Sequence, residues 1–334
     1  MTEPTSLTLA HVARIARVSE STVSRVIRNK LPIAEETRNR VLDAIRQTGY
    51  VPNRIAGSLA TARSKLIGVI LPSLSNIVFP DVLRGIHHAL ASSGYQPVVG
   101  VTDYSEENEE ELVRSILSWK PAAMVVTGLE HTDATRQMLV RSGLRIAEIM
   151  DIDAAPIDIA VGLSHRKVGL ESARYLLSRG YRRFGYVGHD RMRDRRAAAR
   201  FEGFAQGIRA TGLALRGQAN WDGPSSAGAG REMLAQLLAQ HADLDAVLFS
   251  NDDMAIGGVF HCLAGGIDIP GGLAVFGFNA LDIGQALPIP LSTVRSYRFE
   301  IGEISVKHLF QRRGRTASPT IVDTGFEIVA GATA

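Results

Sequence analysis

The sequence predicts an all-α head carrying a helix-turn-helix and a hinge helix, followed by a two-lobed α/β body built on parallel sheets. Three observations predict this. Within residues 8–28, TLAHVARIARVSESTVSRVIR, the residues Val12, Ala13, Ala16, Val18, Val23 and Val26 recur at helical spacing in two short runs joined by a tight turn. From Lys65 onward, short apolar runs alternate with helix-length segments, the pattern of parallel sheets covered by helices on both faces. The charge divides at the same place. Residues 1–65 hold eleven Lys or Arg against five Asp or Glu, while the remainder holds 26 against 29. A basic head on a neutral body is the electrostatic footprint of a nucleic-acid module.

In the head, Ser19 stands where an N-cap is needed for the second helix. Glu20, Ser21, Ser24 and Arg25 fall on the face opposite the buried valines. A helix with short polar side chains and one arginine fits the DNA major groove, where arginine forks onto guanine O6 and N7. An ordinary amphipathic helix pair is the alternative. A third helix lies in IAEETRNRVLDAIRQTGY, with acidic residues in its first turn, Gly49 at its end, and Val41, Leu42 and Ile45 facing inward. YVPNRIAGSLATARSK then joins head to body. Asn53 to Ala60 make about two helical turns that Gly57 leaves marginal in isolation, or else a flexible linker.

The body reads in two cycles. KLIGVILPSL, QPVVGVTDY, AAMVVTGL and RIAEIMD are strands, with helices from Pro80 to Ser93 and from Glu106 to Trp119. A second cycle has helices from Arg166 to Arg179 and from Arg195 to Ala210, and strands RFGYVGH, DAVLFSND and LAVFGFN. Two cycles predict two similar lobes with a ligand cleft at the carboxyl ends of the strands. The expected boundaries are 1–52 for the head, 53–64 for hinge helix and linker, 65–164 plus 293–323 for the first lobe, and 165–292 plus 324–334 for the second.

Several function classes are excluded. Cys262 is the single cysteine, so neither an internal disulfide nor a thiolate metal cage forms, and VFHCLAGG reads as a buried helix holding a small core residue. No apolar run approaches the about 18 residues of a membrane span, and the first residues lack the basic start and apolar core of a secretory signal. A soluble, cytoplasmic protein is expected, associated with the nucleoid through its head. GxSxG, HExxH, Walker and strand-linked GxGxxG motifs are all missing, so no enzyme, cofactor or metal is expected. His189-Asp190 reads as a strand-end cleft or surface pair. In NDDMAIGG, Asn251 is placed to hydrogen-bond ligand hydroxyls and Asp252 to cap a helix.

These segments, with IGVILPSLSN and LFSNDDMAIGG in order, resemble the lactose/purine repressor family of bacterial transcription regulators over nearly the whole chain. The resemblance implies a periplasmic-binding-protein-like body. ILPSLSNIVFPDVLRGI, SWKPA, EIMD, IDIAVG and DIGQALPIPLSTV look closest to repressors of gluconate and ketogluconate use. By that resemblance Glu20 and Ser21 vary operator choice, and Arg25 contacts a base. Ser19, Thr22, Ser24 and Asn53 touch phosphates or bases, and Leu59 wedges into the minor groove. Two residues depart from the family: Arg17 replaces the glycine usual in the turn, and His11 replaces an acidic residue of the first helix.

The resemblance also implies effector contacts at Ser73, Phe79, Asp151, Ser164, Arg196, Arg200, Trp221, Asn251 and Asn279. Arg196 and Arg200 share one helix face near its positive end, which suits an anion, or they simply solvate the helix start. Trp221 is a sugar-stacking platform or a core residue. Asn279 replaces the aspartate common in relatives that bind neutral sugars and purines, which favours gluconate or 2-ketogluconate, since an aspartate would repel an anion in a closed cleft. The implied partners are a palindromic double-stranded operator, a sugar-acid effector and a second copy of the chain, with no membrane. No leucine heptads follow FEIVAGATA, so a dimer is expected. Release from DNA by the ligand is the expected sign, with corepression the alternative. A sugar-binding protein and an α/β enzyme are the remote ones.

Overall fold

The computed structural model describes residues 7–27, 32–51, 64–190, 192–311 and 318–334. Asn53, Leu59 and the hinge helix expected around them lie outside the described residues. The chain divides into two compact units, Met1–Ser64 and Lys65–Ala334.

The first unit packs α1 (Leu9–Ala16), α2 (Glu20–Ile27) and α3 (Glu35–Thr48) around buried Val12, Ala13, Ala16, Val23, Val26, Val41 and Ala44, with Val18 and Ile45 partly buried beside them. The sequence reading put Leu42 inside, but it is 37 % exposed. Val41, Ala44 and Ile45 form the i, i+3, i+4 stripe, and position 42 falls about 100° round the helix from it. Ser19 caps α2 as expected, its Oγ accepting from the Thr22 amide at 3.2 Å. Arg17 ends α1 in the left-handed region (φ 54°, ψ 48°), and the Val18 amide reaches back to the Ala13 carbonyl at 3.0 Å. His11 takes over the reciprocal bond of a capping box: its Nδ1 accepts from the Thr8 amide at 3.2 Å.

The second unit contains two parallel sheets. β1 (Leu66–Leu71), β2 (Gln96–Val101), β3 (Ala123–Thr127), β4 (Arg145–Ile149), β5 (Ile159–Gly162) and β11 (Thr320–Asp323) form one, ordered β11-β5-β4-β3-β1-β2. β6 (Phe184–His189), β7 (Gly217–Trp221), β8 (Ala246–Phe249) and β9 (Ala274–Phe276) form the other, ordered β7-β6-β8-β9. We call these the first and second lobes. An antiparallel pair, β10 (Thr293–Ser296) with β12 (Phe326–Val329), forms a third, two-stranded sheet, tied to the chain leaving β9 by the Asn279 amide donating to the Val294 carbonyl at 2.9 Å. The first-lobe helices are α4 (Val78–Leu90), α5 (Glu106–Ser118) and α6 (Asp133–Arg141). Then follow α7 (His165–Ser178), α8 (Arg195–Arg209), α9 (Ala227–Gln240), α10 (Asp252–Gly265), α11 (Asp282–Gln285) and α12 (Arg298–Leu309).

The helix expected from Pro80 to Ser93 starts earlier and ends earlier, with Pro80 in its first turn, where a missing amide is harmless. Cys262 is buried in α10, and burial pushes its thiol up to about 11, as suits a small core residue. Among the described residues no helix is long and apolar enough to cross a membrane.

One close approach positions the site. A Cβ at Gly169 of α7 would run into the Arg200 carbonyl, and one at Gly203 of α8 into the Arg166 carbonyl. The two helices therefore touch backbone to backbone where α8 carries Arg200, one turn after Arg196.

Candidate ligand cleft and nucleic-acid interface

The residues expected in the cleft sit at strand ends and helix starts. Ser73, Asp151 and Asn251 each stand two residues past a strand (β1, β4, β8), and Asn279 stands three past β9. Phe79 lies in the first turn of α4, Ser164 caps α7 at 3.1 Å from the Lys167 amide, and Trp221 ends β7.

Arg200 ties several of them together. It is buried, donates from Nη1 to His165 Nδ1 at 3.0 Å and from Nη2 to the Ser250 carbonyl at 3.0 Å, and its guanidinium lies 4.0 Å from the Phe278 ring centroid. It thus touches the neighbours of Ser164, Asn251 and Asn279. His165 lies 2.7 Å from the Met150 carbonyl through Nε2. The partners assign Nε2 as the donor and Nδ1 as the acceptor, a neutral imidazole. Burial, then the charges of Arg200 and Arg196, hold its pKa well below the usual histidine range.

Arg196 is half-buried, with its guanidinium 5.9 Å from the Phe79 ring in the opposite lobe. Its Nε is 3.9 Å from Asp194. Asp194 caps α8, accepting from the Ala197 amide at 3.1 Å. Burial would raise its carboxyl, but Arg196 and Arg200 outweigh that and hold it down to about 2.

Asn251 Oδ1 accepts from the Met254 amide at 3.1 Å, leaving its amide hydrogens for other use. Asp252, expected as the cap, is wholly buried. It accepts from the Leu281 amide at 2.7 Å and the Thr293 hydroxyl at 2.6 Å, and burial pushes it up to about 6. Asn251 precedes the helix in extended backbone, the conformation a cap requires. Asn279 is buried in strained backbone (φ 129°), and its side-chain oxygen finds no partner among the described residues. Its carbonyl accepts from Arg298, whose Nη2 also lies 2.9 Å from Asp81 of α4.

Asp151 is buried and pushed up to about 6, first by burial and then by repulsion from Asp153 and Glu130. Ser73 shapes the entry to α4, its Oγ accepting from the Asn76 amide at 3.3 Å. Trp221 is half-buried against the second-lobe core and meets the rest of the site through its carbonyl, which accepts from the Asp190 amide at 3.1 Å. His189 is buried with Nδ1 3.0 Å from Ser250 Oγ. Among the described residues no group of His, Cys, Asp and Glu could hold a metal ion.

Sequence reasoning missed one wall of the cleft. A cavity of about 80 Å³ lies between the ends of β1, β2 and β3 and the start of α8, lined by Thr102, Tyr104, Glu106, Glu130, Arg193, Arg195 and Arg196 among others. Asp103 (φ 51°) and Tyr104 (φ 60°) are both left-handed, a turn that sets the Tyr104 hydroxyl to accept from Asn76 Nδ2 at 3.4 Å. Arg195 reaches across the lobes to Glu106 at 2.9 Å. The strained Asp-Tyr pair after a strand carries no hydrophobic period, so periodicity could not reveal it.

On the head, Glu20, Ser21 and Arg25 are exposed, Thr22 and Ser24 are half-buried, and Val23 and Val26 face the core. Ser19 Oγ lies 2.8 Å from Ser21 Oγ and 2.9 Å from Thr22 Oγ1. One polar helix face is therefore free of the packing that holds the helix.

The family profile "Bacterial regulatory proteins, lacI family" matches residues 8–53, and the profile "Periplasmic binding protein-like domain" matches residues 173–334. The chain is 37 % identical over 326 residues to the HTH-type transcriptional regulator GntR of Pseudomonas aeruginosa, covering 97 % of this chain and 94 % of that one. It belongs to the lacI family of bacterial regulatory proteins. The GntR regulator of Escherichia coli K12 is 34 % identical over 324 residues, covering 97 % of each chain. A crystal structure of a lacI-family transcriptional regulator from Silicibacter pomeroyi superposes with a TM-score of 0.93 at 43 % identity, covering 98 % of this chain and 99 % of that one. This lacI-family member is a DNA-binding transcriptional regulator and not an enzyme.

Proposed function

We propose that the regulator represses sugar-acid catabolism, holding a palindromic operator as a homodimer and leaving it when gluconate or 2-ketogluconate occupies the cleft. In this reading Glu20, Ser21 and Arg25 read bases, while Ser19, Thr22 and Ser24 serve the backbone or base edges. Asn53 and Leu59 act at the operator centre. The observation that carries the ligand class is Arg196. Its guanidinium stands at the cavity beside an aromatic ring, and among the described residues its one carboxylate neighbour, Asp194, approaches loosely at 3.9 Å. Fork-like N–H groups in a half-buried cleft suit a carboxylate. Asn279, neutral where an aspartate would repel that carboxylate, and the amide of Asn251 offer partners to hydroxyls.

Fluorescence anisotropy with an operator duplex tests this. Gluconate or 2-ketogluconate should lower the wild-type affinity, and Arg196→Ala should abolish the response while still binding DNA. Release by neutral hexoses with no effect of sugar acids would overturn the reading.

A further inference from the structure

The two walls of the cleft carry opposite charge. The first lobe lines it with Glu106 and Glu130, and the second with Arg193, Arg195 and Arg196. At Gly128 (φ 89°), a Cβ would lie 3.7 Å from Arg196 Nη1 and 3.9 Å from Glu130 Oε2. Both charges therefore face one spot, which the absent side chain leaves open. Where the walls meet directly they neutralise each other, as Arg195 and Glu106 do. Asp151, buried two residues past β4, is not among the residues lining the cavity; its Oδ1 accepts from the Asp153 amide at 2.9 Å, and among the described residues the carboxylates of Asp153 and Glu130 act on it as like charges.

We propose that this division of charge selects sugar acids with one carboxylate (aldonates) and rejects those with a carboxylate at each end (aldarates). The single carboxylate docks on Arg196, and the polyol end donates hydroxyl hydrogens to Asp151 and Glu130. Ionised carboxylates accept hydroxyl hydrogens and offer nothing to a second anion. A like charge about 4 Å away in a partly desolvated cleft weakens binding on the order of 100-fold. The inference rests on the sugar-acid reading above and names the part of that class which the site takes.

Calorimetry on the full-length protein with gluconate and glucarate compares two acids of one carbon skeleton that differ in the second carboxylate. Wild type should bind gluconate on the order of 100-fold more tightly than glucarate. Glu130→Gln, and Glu130→Gln with Asp151→Asn, should narrow that ratio by about 10-fold or more, a difference of at least about 1.4 kcal/mol. Equal binding of the two acids by wild type, or an unchanged ratio in both variants, overturns the inference and leaves the sugar-acid reading standing. If neither acid binds, the sugar-acid reading itself fails and takes this inference with it.

Discussion

Stability should fall steeply between pH 6.5 and 9 because of one imidazole. The His131 side chain is fully buried between two carboxylates, with Nδ1 2.9 Å from Glu109 of α5 and Nε2 3.5 Å from Glu148 of β4. Glu148 is itself wholly buried, and its other oxygen accepts from the Ile157 amide. Burial alone would lower the pKa of His131. The hydrogen bond to Glu109 and the charges of both carboxylates outweigh it and lift the group from 6.5 to about 9. The folded state therefore binds this proton more tightly than the unfolded chain does. The stabilisation is complete below pH 6.5 and is lost as pH rises through 9, a change of about 3 kcal/mol at 1.36 kcal/mol per pH unit.

Other groups leave that interval clear. His165 and His189, whose pKa values are lowered, act where the unfolded chain takes up protons, below pH 6.5. Cys262, lifted to about 11, acts above 9. Urea unfolding of the full chain, followed by tryptophan fluorescence at intervals of pH, should give a wild-type loss of about 3 kcal/mol. His131→Gln should be less stable at pH 6.5 and nearly flat above it. Parallel profiles for the two proteins would refute the reasoning.

Three further substitutions test the architecture. Arg17→Gly removes a side chain from left-handed backbone and should stabilise the head by about 0.5–1 kcal/mol; amide exchange in α1 and α2 should slow, and unchanged exchange would refute the strain. Gly169→Ala pushes α7 off the Arg200 carbonyl, so it should cost about 1–3 kcal/mol in urea and weaken effector response more than operator binding; a neutral outcome would mean the two helices can part freely. Asp252→Ala strands the Leu281 amide and the Thr293 hydroxyl and should cost about 2–4 kcal/mol, whereas Asp252→Asn, keeping one acceptor, should cost less; equal costs in urea would exclude the acceptor role.

The sequence made the alternation of strands and helices legible because buried parallel strands are continuous apolar runs, whereas Ser73, Asp151 and Asn251 were singled out by the family resemblance, and the structure places each two residues past a strand. It did not disclose β5, β7, α6 or the β10–β12 pair. β7, Gly217–Trp221, is an edge strand with alternate residues exposed, so its composition is polar. The sequence reading also assigned the cap of α10 to Asp252, and the structure gives it to Asn251, because either side chain can cap and local sequence does not separate them. The structure decides it through partners distant in sequence, Leu281 and Thr293. Tyr104 and Glu130 were invisible for a related reason: they stand on connections, and, like Arg195 at the start of α8, their neighbours are set by the meeting of two lobes, not by any local period.

The strength of the interlobe contacts bounds how a ligand can act. Arg195 and Glu106 are both more than half exposed, so their pair contributes under about 1 kcal/mol. The approach of Arg196 to Phe79 adds about 0.5–1 kcal/mol. Arg298 is better protected, 12 % exposed, and joins Asp81 of α4 to the carbonyl of Asn279. A ligand can move the open-to-closed balance only by the difference between its affinities for the two states. A coupling of about 1–3 kcal/mol is of the same order as one or two contacts of this kind. These polar links add to a hydrophobic cluster that runs through both lobes, and a ligand that engages Arg196 and Asn279 together touches two of the polar links by which the lobes already meet. A substitution such as Asp81→Asn, outside the cavity lining, should then shift effector sensitivity by as much as one within it.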